Sequence, residues 1–276
     1  MICVKKISTG RLGNRLFHYH FLRQIARKTG LEYFHPSWPD KKYFLEMKSK
    51  KYPLFSFRKK VHFSSLDILK LTPADFLKLV EELDAQATDV VLNRPLLGEA
   101  FFDYLFYPPR DFIKIKEEFK IDFNFKDQPI IIGLHFRGTD FKAWNPQASL
   151  EFPYYREAIN YSRDFYKDQP LAFVLFTDDL KFPAFQETVF FLKSLKQEFQ
   201  IGDNRRPPII DFYQMSQCDV LVSSPSTFAV LAGCLGKPKK IIHSQTWLDY
   251  ALSKNDKFWV DLSQTTNPYY SLWKTF

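Results

Sequence analysis

Four short segments gather side chains suited to holding a charged ligand. The first is Ser8-Thr9-Gly10-Arg11-Leu12-Gly13-Asn14-Arg15-Leu16. Its two glycines permit tight backbone turns, Arg11 and Asn14 add side-chain donors, and free N–H groups at a helix start attract negative charge. The spacing is not G-x-G-x-x-G and no acidic ribose partner follows, so this is not a dinucleotide fingerprint. An ordinary strand-to-helix turn would look the same. The second segment is His135-Phe136-Arg137-Gly138-Thr139-Asp140. Arg137 can grip a phosphate with both arms of its guanidinium, Gly138 admits a close approach, and Asp140 or His135 can serve as base or orienter. An Arg137–Asp140 ion pair above a core histidine is the structural alternative, and the crowding of polar residues at one strand end favours function over it. The third, Asp219 to Ala229, holds Ser223-Ser224-Pro225-Ser226-Thr227-Phe228. Ser226 and Thr227 stand where hydroxyls and backbone N–H groups both meet a phosphate, although plain helix capping by Ser224 or Ser226 uses the same residues. In the fourth, Thr177-Asp178-Asp179, a carboxylate pair could hold a metal–diphosphate. One Asp capping a helix and the other facing solvent accounts for it better, and no metal is assigned.

These segments need a scaffold that brings strand ends and helix starts together. Residues 2–7 form an apolar, β-branched run, followed by a helix with Phe17, Phe21 and Ile25 on one face and Thr29-Gly30 at its end. A short strand is expected at 31–34, and the Pro-interrupted stretch 36–62 reads as loop. Thr72-Pro73 opens a helix to about residue 83, ahead of a strand at 90–92. Residues 129–136, Pro-Ile-Ile-Ile-Gly-Leu-His-Phe, are a continuous apolar run, the mark of a strand buried on both faces. Helices are expected near 154–166, 187–199 and 228–235, with strands at 171–176, 220–223 and, last, 240–243. Strands separated by helices make βαβ units and parallel, doubly wound sheets. The architecture expected is therefore α/β, with two Rossmann-like domains facing a central cleft. The polar segment 123–128 divides them into residues 1–126 and 127–276, with the C-terminal segment free to cross back. Ligands collect outside the carboxyl ends of such strands, where these segments lie. Together they point to a diphosphate-bearing ligand, a nucleotide or a nucleotide-sugar.

The chain has 276 residues, 45% of them hydrophobic and 18% aromatic, which suffices for a large core and excludes a disordered chain. Three scattered cysteines without a CxxC pair argue against a disulfide framework or a structural zinc site. No apolar run approaches the ~18 residues of a membrane span, and no signal peptide is evident, so a soluble cytoplasmic protein is expected. The formal net charge is +8, and residues 41–60, with eight Lys or Arg against Glu46 alone, carry seven of those charges. Charge alone admits a nucleic-acid or membrane partner. One basic loop on a near-neutral chain fits peripheral contact with an anionic membrane surface or acceptor, or a solvated face; no nucleic-acid partner is assigned.

Residues 10–17, Gly-Arg-Leu-Gly-Asn-Arg-Leu-Phe, resemble the G-x-[GL]-N-Q-[LM]-F element of the GDP-fucose-dependent α-1,2-fucosyltransferases, glycosyltransferase family 11. They also resemble the G-R-F-G-N-Q element of protein O-fucosyltransferases. His135 to Asp140 is similar to the H-x-R-R-G-D or H-x-R-R-T-D element of that superfamily. Leu97-Gly98-Glu99-Ala100-Phe101-Phe102-Asp103-Tyr104 resembles its G-Y-F-Q-S-E-K-Y. Tyr154-Tyr155-Arg156-Glu157-Ala158 resembles Y-Y-x-x-A, and Phe176-Thr177-Asp178-Asp179 resembles F-S-D-D. Asp211 to Cys218 resembles D-x-x-x-M-S-x-C, and Ser226-Thr227-Phe228 resembles the S-S-F that comes after it. The matches run in order over most of the chain.

The resemblance implies a GT-B fold and an inverting, metal-independent transfer of a sugar, fucose above all, from a GDP-sugar to a glycan hydroxyl, with no cofactor. It gives Arg137 the β-phosphate, and Ser226, Thr227 and Phe228 the diphosphate and guanine. Arg11, Gly13 and Asn14 match the turn that faces the donor across the cleft, and His135 and Asp140 match positions near the donor. Arg137, Asn14 and Asp140 are the catalytic candidates, Asp140 as the base. The chain departs from the pattern at Gly138, where a second arginine is usual, at Arg15 for glutamine, at Pro225 for asparagine, and at Val230 and Leu231 for tryptophans. These departures bear on donor sugar and acceptor more than on fold. Another GDP-deoxyhexose, another linkage, or a chain that binds without turnover are the alternatives.

Overall fold

A computed structural model of the chain describes residues 1–4, 11–45, 57–63, 71, 73–92, 113–127, 129–139, 149–203, 205–236, 240–244 and 273–275. Two compact units are present, Met1–Pro109 with Lys254–Val260 and Arg110–Ser253 with Asp261–Phe276. Among the described residues no helix is long and apolar enough to cross a membrane.

The first unit is a four-stranded parallel sheet in the order β2-β1-β4-β3, made of β1 (Ile2–Val4), β2 (Tyr33–Phe34), β3 (Lys59–Phe63) and β4 (Thr88–Leu92). Helix α1 (Leu12–Thr29) buries Leu12, Leu16, Tyr19, Leu22 and Ala26, a spacing of three and four that lines one face of a helix. Gly30, at φ 70°, ends it in the left-handed conformation, with Arg27 and Lys28 in the last turn against the negative end of the helix dipole. Helix α2 (Pro73–Ala85) starts on its proline and packs on β4 and α1. The expected loop 36–62 needs correcting at both ends: Pro39–Tyr43 forms a 3-10 turn and Lys59–Phe63 forms the edge strand β3. Its alternation is short: Val61 and Phe63 are half-buried, Lys59, Lys60 and His62 are exposed, and the Phe63 ring meets Phe76 of α2 edge-on at 6.0 Å. The backbone ladder to β4 holds it as well. Arg58, one of the eight basic residues of 41–60, is turned inward. Its Nε lies 2.7 Å from the fully buried Asp89 carboxylate, which also lies 3.4 Å from the Met1 ammonium.

The second unit holds six parallel strands in the order β10-β9-β8-β5-β6-β7. These are β5 (Ile130–Phe136), β6 (Leu171–Thr177), β7 (Glu198–Ile201), β8 (Val220–Val222), β9 (Lys240–His243) and β10 (Trp273–Thr275). Strand β5 is central, and its Ile132, Leu134 and Phe136 are fully buried among residues of α3 (Phe152–Phe165) and α4 (Pro183–Ser194). Phe136 stacks on Tyr155 with ring centres 4.1 Å apart. Helices α5 (Pro208–Gln217) and α6 (Thr227–Leu235) pack against each other. The helix expected at 187–199 ends five residues early: Lys196, at φ 53°, breaks it, and Glu198–Ile201 turns into strand β7 beside β6. The strand at 240–243 is not the last, because Trp273–Thr275 pairs with it in parallel.

Candidate active site

In the second unit, β5 leads to β6 and β7 on one side, whereas β8 leads to β9 and β10 on the other. Adjacent β5 and β8 therefore send their chains apart at their carboxyl ends, and a crevice at such a switch point is where open α/β sheets bind ligands. Two of the polar segments meet there. His135 lies near the end of β5 and Ser224 comes just after β8, and His135 Nδ1 lies 2.7 Å from Ser224 Oγ. Tyr155 Oη donates to the His135 carbonyl at 3.1 Å, which fixes the strand end from the other face. Burial pushes the His135 imidazole down to about 3, helped by the Arg137 charge and opposed by Asp178. The ring is thus neutral across the physiological range and acts as a fixed hydrogen-bonding post.

Ser226 caps α6, its Oγ accepting from Phe228 N–H at 3.3 Å, and Thr227 opens the helix. The first-turn N–H groups of this nine-residue helix point out of the same sheet end, where the helix dipole favours an anion. The Phe228 ring lies 6.1 Å from His135 and 5.4 Å from Phe212 on α5. His135 and Phe228 are thereby brought together by a strand end and a helix start, with Ser226 and Thr227 at that start and Arg137 two residues beyond His135.

Arg137 leaves β5 and its Nη1 lies 3.4 Å from Asp178 Oδ2, at the end of β6. Asp178 also accepts from Gly138 N–H at 2.8 Å and from Thr139 Oγ1 at 2.7 Å. So Asp178 takes neither role expected of this aspartate pair: it does not cap a helix, and it does not stand in solvent. Asp179 accepts from Lys181 N–H at 2.9 Å, just before α4. Among the described residues no three His, Cys, Asp or Glu side chains gather as a metal site. A Cβ on Gly138 would stand 2.9 Å from Phe182 Cβ and 3.0 Å from Asp179 Cβ. Glycine in place of the second arginine is therefore what this backbone course accommodates.

One residue, the aspartate that opens the D-x-x-x-M-S-x-C resemblance, is not among the expected site residues. Asp211, on the first turn of α5, sits beside Gly202 at the end of β7, and its Oδ1 is buried without a hydrogen-bond partner among the described residues. Burial pushes its carboxyl up to about 6, with Arg206 favouring the ionised form and Asp203 opposing it. The available signal was an acid among the inward positions Ile209, Ile210, Phe212 and Met215 of an otherwise apolar helix face.

In the first unit, Arg11 occupies the N-cap position of α1, Gly13 is buried in its first turn and Asn14 is exposed. Arg15 Nη1 pairs with Asp40 of the 3-10 turn at 2.6 Å. Residues 5–10, which precede this helix start, and Asp140, the candidate base, lie outside the described residues, as does most of the basic stretch 41–60.

No family model matches the sequence, and no curated protein matches it significantly. Solved structures do. POFUT1 in complex with GDP is 11% identical, with a TM-score of 0.58 over 88% of this chain and 97% of that chain. POFUT1 in complex with GDP-fucose aligns with TM-scores of 0.58 and 0.59 in two crystal forms, at 11% and 9% identity over 88% of this chain. At such identity the likeness establishes the fold alone: an α/β, GT-B-like architecture with two parallel sheets.

Proposed function

We propose that the protein is an inverting glycosyltransferase that moves fucose from GDP-fucose to a glycan hydroxyl, akin to the α-1,2-fucosyltransferases. The observation that carries the proposal is the β5–β8 switch point, where His135 meets Ser224 and Phe228 at the α6 start and Arg137 follows on the same strand end. The fold shared with proteins solved with GDP and GDP-fucose supports it. In the reaction the acceptor oxygen bonds to C1 of the sugar as the C1–O bond to the β-phosphate breaks. The electron pair leaves with GDP, and the hydroxyl proton passes to a base, for which Asp140 is our assignment. Negative charge grows on the β-phosphate as that bond breaks. Arg137 and the first N–H groups of α6 stabilise it more in the transition state than in the ground state. Those cationic and dipolar donors take the place of a metal ion in this scheme, and no other cofactor enters it. We also propose a nucleotide-sugar-binding role for Arg11, Gly13 and Asn14 at the α1 start.

A thermal-shift titration tests the reading. GDP at one hundred times its Kd stabilises a protein that binds it by about 2.7 kcal/mol, roughly 5–10 °C in Tm for a chain of this size, and the shift is expected to survive EDTA. No shift with GDP or GDP-fucose, or an equal shift with ADP, overturns it.

Asp211 supplies a second expectation. Guanine presents two donors, N1–H and the N2 amino group, and a carboxylate whose Oδ1 has no partner among the described residues is their chemical complement once the segment beside Gly202 admits the base. Only the ionised carboxylate accepts both. Since the group titrates near 6 in the free protein, GDP affinity is expected to be level above that pH and to fall up to tenfold per pH unit below it. Asp211→Asn is expected to lower affinity about tenfold at pH 7.5 and to flatten the profile. A titration series from pH 5 to 8 measures both. His135, held near 3, does not titrate in that window.

A further inference from the structure

The turn after β5 is not shaped by its own residues alone. We infer that Asp178, at the end of the neighbouring strand β6, is the positioning residue of the anion-binding turn, setting both the direction of Arg137 and the backbone of Gly138-Thr139. This rests on the functional reading above and assigns that site a part the ligand need not touch.

The contacts converge on one carboxylate. Oδ1 accepts from Gly138 N–H at 2.8 Å and, more loosely, from Thr139 N–H at 3.4 Å. Oδ2 accepts from Thr139 Oγ1 at 2.7 Å and faces Arg137 Nη1 at 3.4 Å. Three consecutive residues are thus referred to a single group on a different strand. Strand β6 is itself rigid, paired along its length with β5 and buried from Ala172 to Thr177. Thr177 Oγ1 bonds to the Asp179 backbone in both directions, accepting from its N–H and donating to its carbonyl at 3.0 Å, so the carboxylate is carried on a braced turn.

The charge state agrees with this role. Burial works against ionising Asp178, but the Gly138 and Thr139 hydrogen bonds and the Arg137 charge outweigh it and hold the carboxyl below its ordinary value. At neutral pH the group is a fixed anion. Beside it the Arg137 guanidinium turns its Nη1 toward the carboxylate. Arg137 has only 14% of its side chain exposed, so it is not a solvated arginine free to choose a direction. Misplacing a charge-stabilising group by about 1 Å can cost a hundredfold in rate, which makes the holder of that group as consequential as a weak ligand contact.

A double-mutant cycle read by GDP titration tests the assignment. Asp178→Ala is expected to weaken GDP binding at least tenfold in the wild-type background and by a clearly smaller factor in the Arg137→Ala background, where only its hold on the Gly138-Thr139 backbone is left to lose. Asp178→Asn keeps an acceptor for the Gly138 amide but loses the charge that faces Arg137. It is expected to fold as the wild type does and still to lose several-fold in affinity. Amide exchange at Gly138 and Thr139 in the ligand-free protein is expected to be at least tenfold faster in Asp178→Ala and closer to wild type in Asp178→Asn. Equal losses in both backgrounds, or wild-type affinity in either Asp178 variant, overturn the inference. Failure of the wild type itself to bind GDP overturns the functional reading instead, and unchanged exchange at the two amides then overturns the hold of Asp178 on the turn.

Discussion

Arg137→Ala is expected to lower kcat/KM for GDP release from GDP-fucose by about 10²–10³-fold, the usual cost of removing one preorganised donor from a site of developing charge. The loss should fall more on kcat than on KM, because the guanidinium meets more charge in the transition state than in the bound donor. Some stability should go with it, because the largely buried Asp178 carboxylate loses its cationic neighbour, although it keeps the Gly138 and Thr139 hydrogen bonds. Arg137→Lys should recover only part of the rate, since an ammonium keeps the charge but not the planar fork. Water can serve as acceptor in this assay, so the experiment needs no knowledge of the natural glycan. Wild-type rates in the alanine variant would remove the arginine from the mechanism.

Gly236→Ala is expected to have the largest effect on the fold. Gly236 comes directly after α6, where that helix crosses the end of α5, and an added Cβ would run into Ser216 O and stand 2.5 Å from Ser216 Cα. It would also lie 2.7 Å from the Ala232 carbonyl. All three neighbours are backbone atoms, so no rotamer change relieves the clash, and the two helices must part. Overpacking of this kind is expected to destabilise by about 3 kcal/mol or more, lowering Tm by roughly 6 °C or more. Because α5 carries Asp211 and Phe212 and α6 carries Thr227 and Phe228 behind its Ser226 cap, GDP affinity should fall with it. Thermal unfolding by circular dichroism with a parallel GDP titration measures both. A Tm within a degree of wild type would show that the helices can separate freely.

Apolar runs and helix punctuation made part of this fold legible in the sequence. Strand β5 is announced by Ile130-Ile131-Ile132, and α6 by Ser226 ahead of apolar residues. Placing His135, Arg137 and Ser226 to Phe228 at one sheet end needed only the rule that polar residues after buried strands gather at the carboxyl edge. The features that sequence did not show depend on contacts distant along the chain. Strand β3 lies in a lysine-rich stretch, where the short alternation of Val61, His62 and Phe63 becomes a strand because β4 offers it a ladder. The break at Lys196 is a local left-handed residue inside a stretch of helix formers. Asp178 looked like half of an aspartate pair because its partners, Gly138 and Thr139, are about 40 residues away. Asp211 hid inside an apolar helix pattern, where burial rather than spacing makes it chemically distinctive.

The order of the strands also fixes when this site can exist. Strand β5 pairs with β8, and the Asp219 carboxylate accepts from Ile131 N–H across 88 residues of chain. Strand β6 reaches β5 through a single crossover, so the Asp178 clamp on Arg137 can close while the rest of the sheet is still unformed. The helix start that completes the site needs that longer loop closed as well, at about 0.6 kcal/mol more for a doubled loop, and it lies later in the chain. During synthesis the arginine and its clamp are therefore present well before the hydroxyls and amides that share its ligand. Nucleotide binding becomes a report on the last stage of assembly, and a ligand present at that moment stabilises the completed sheet over its half-built precursor.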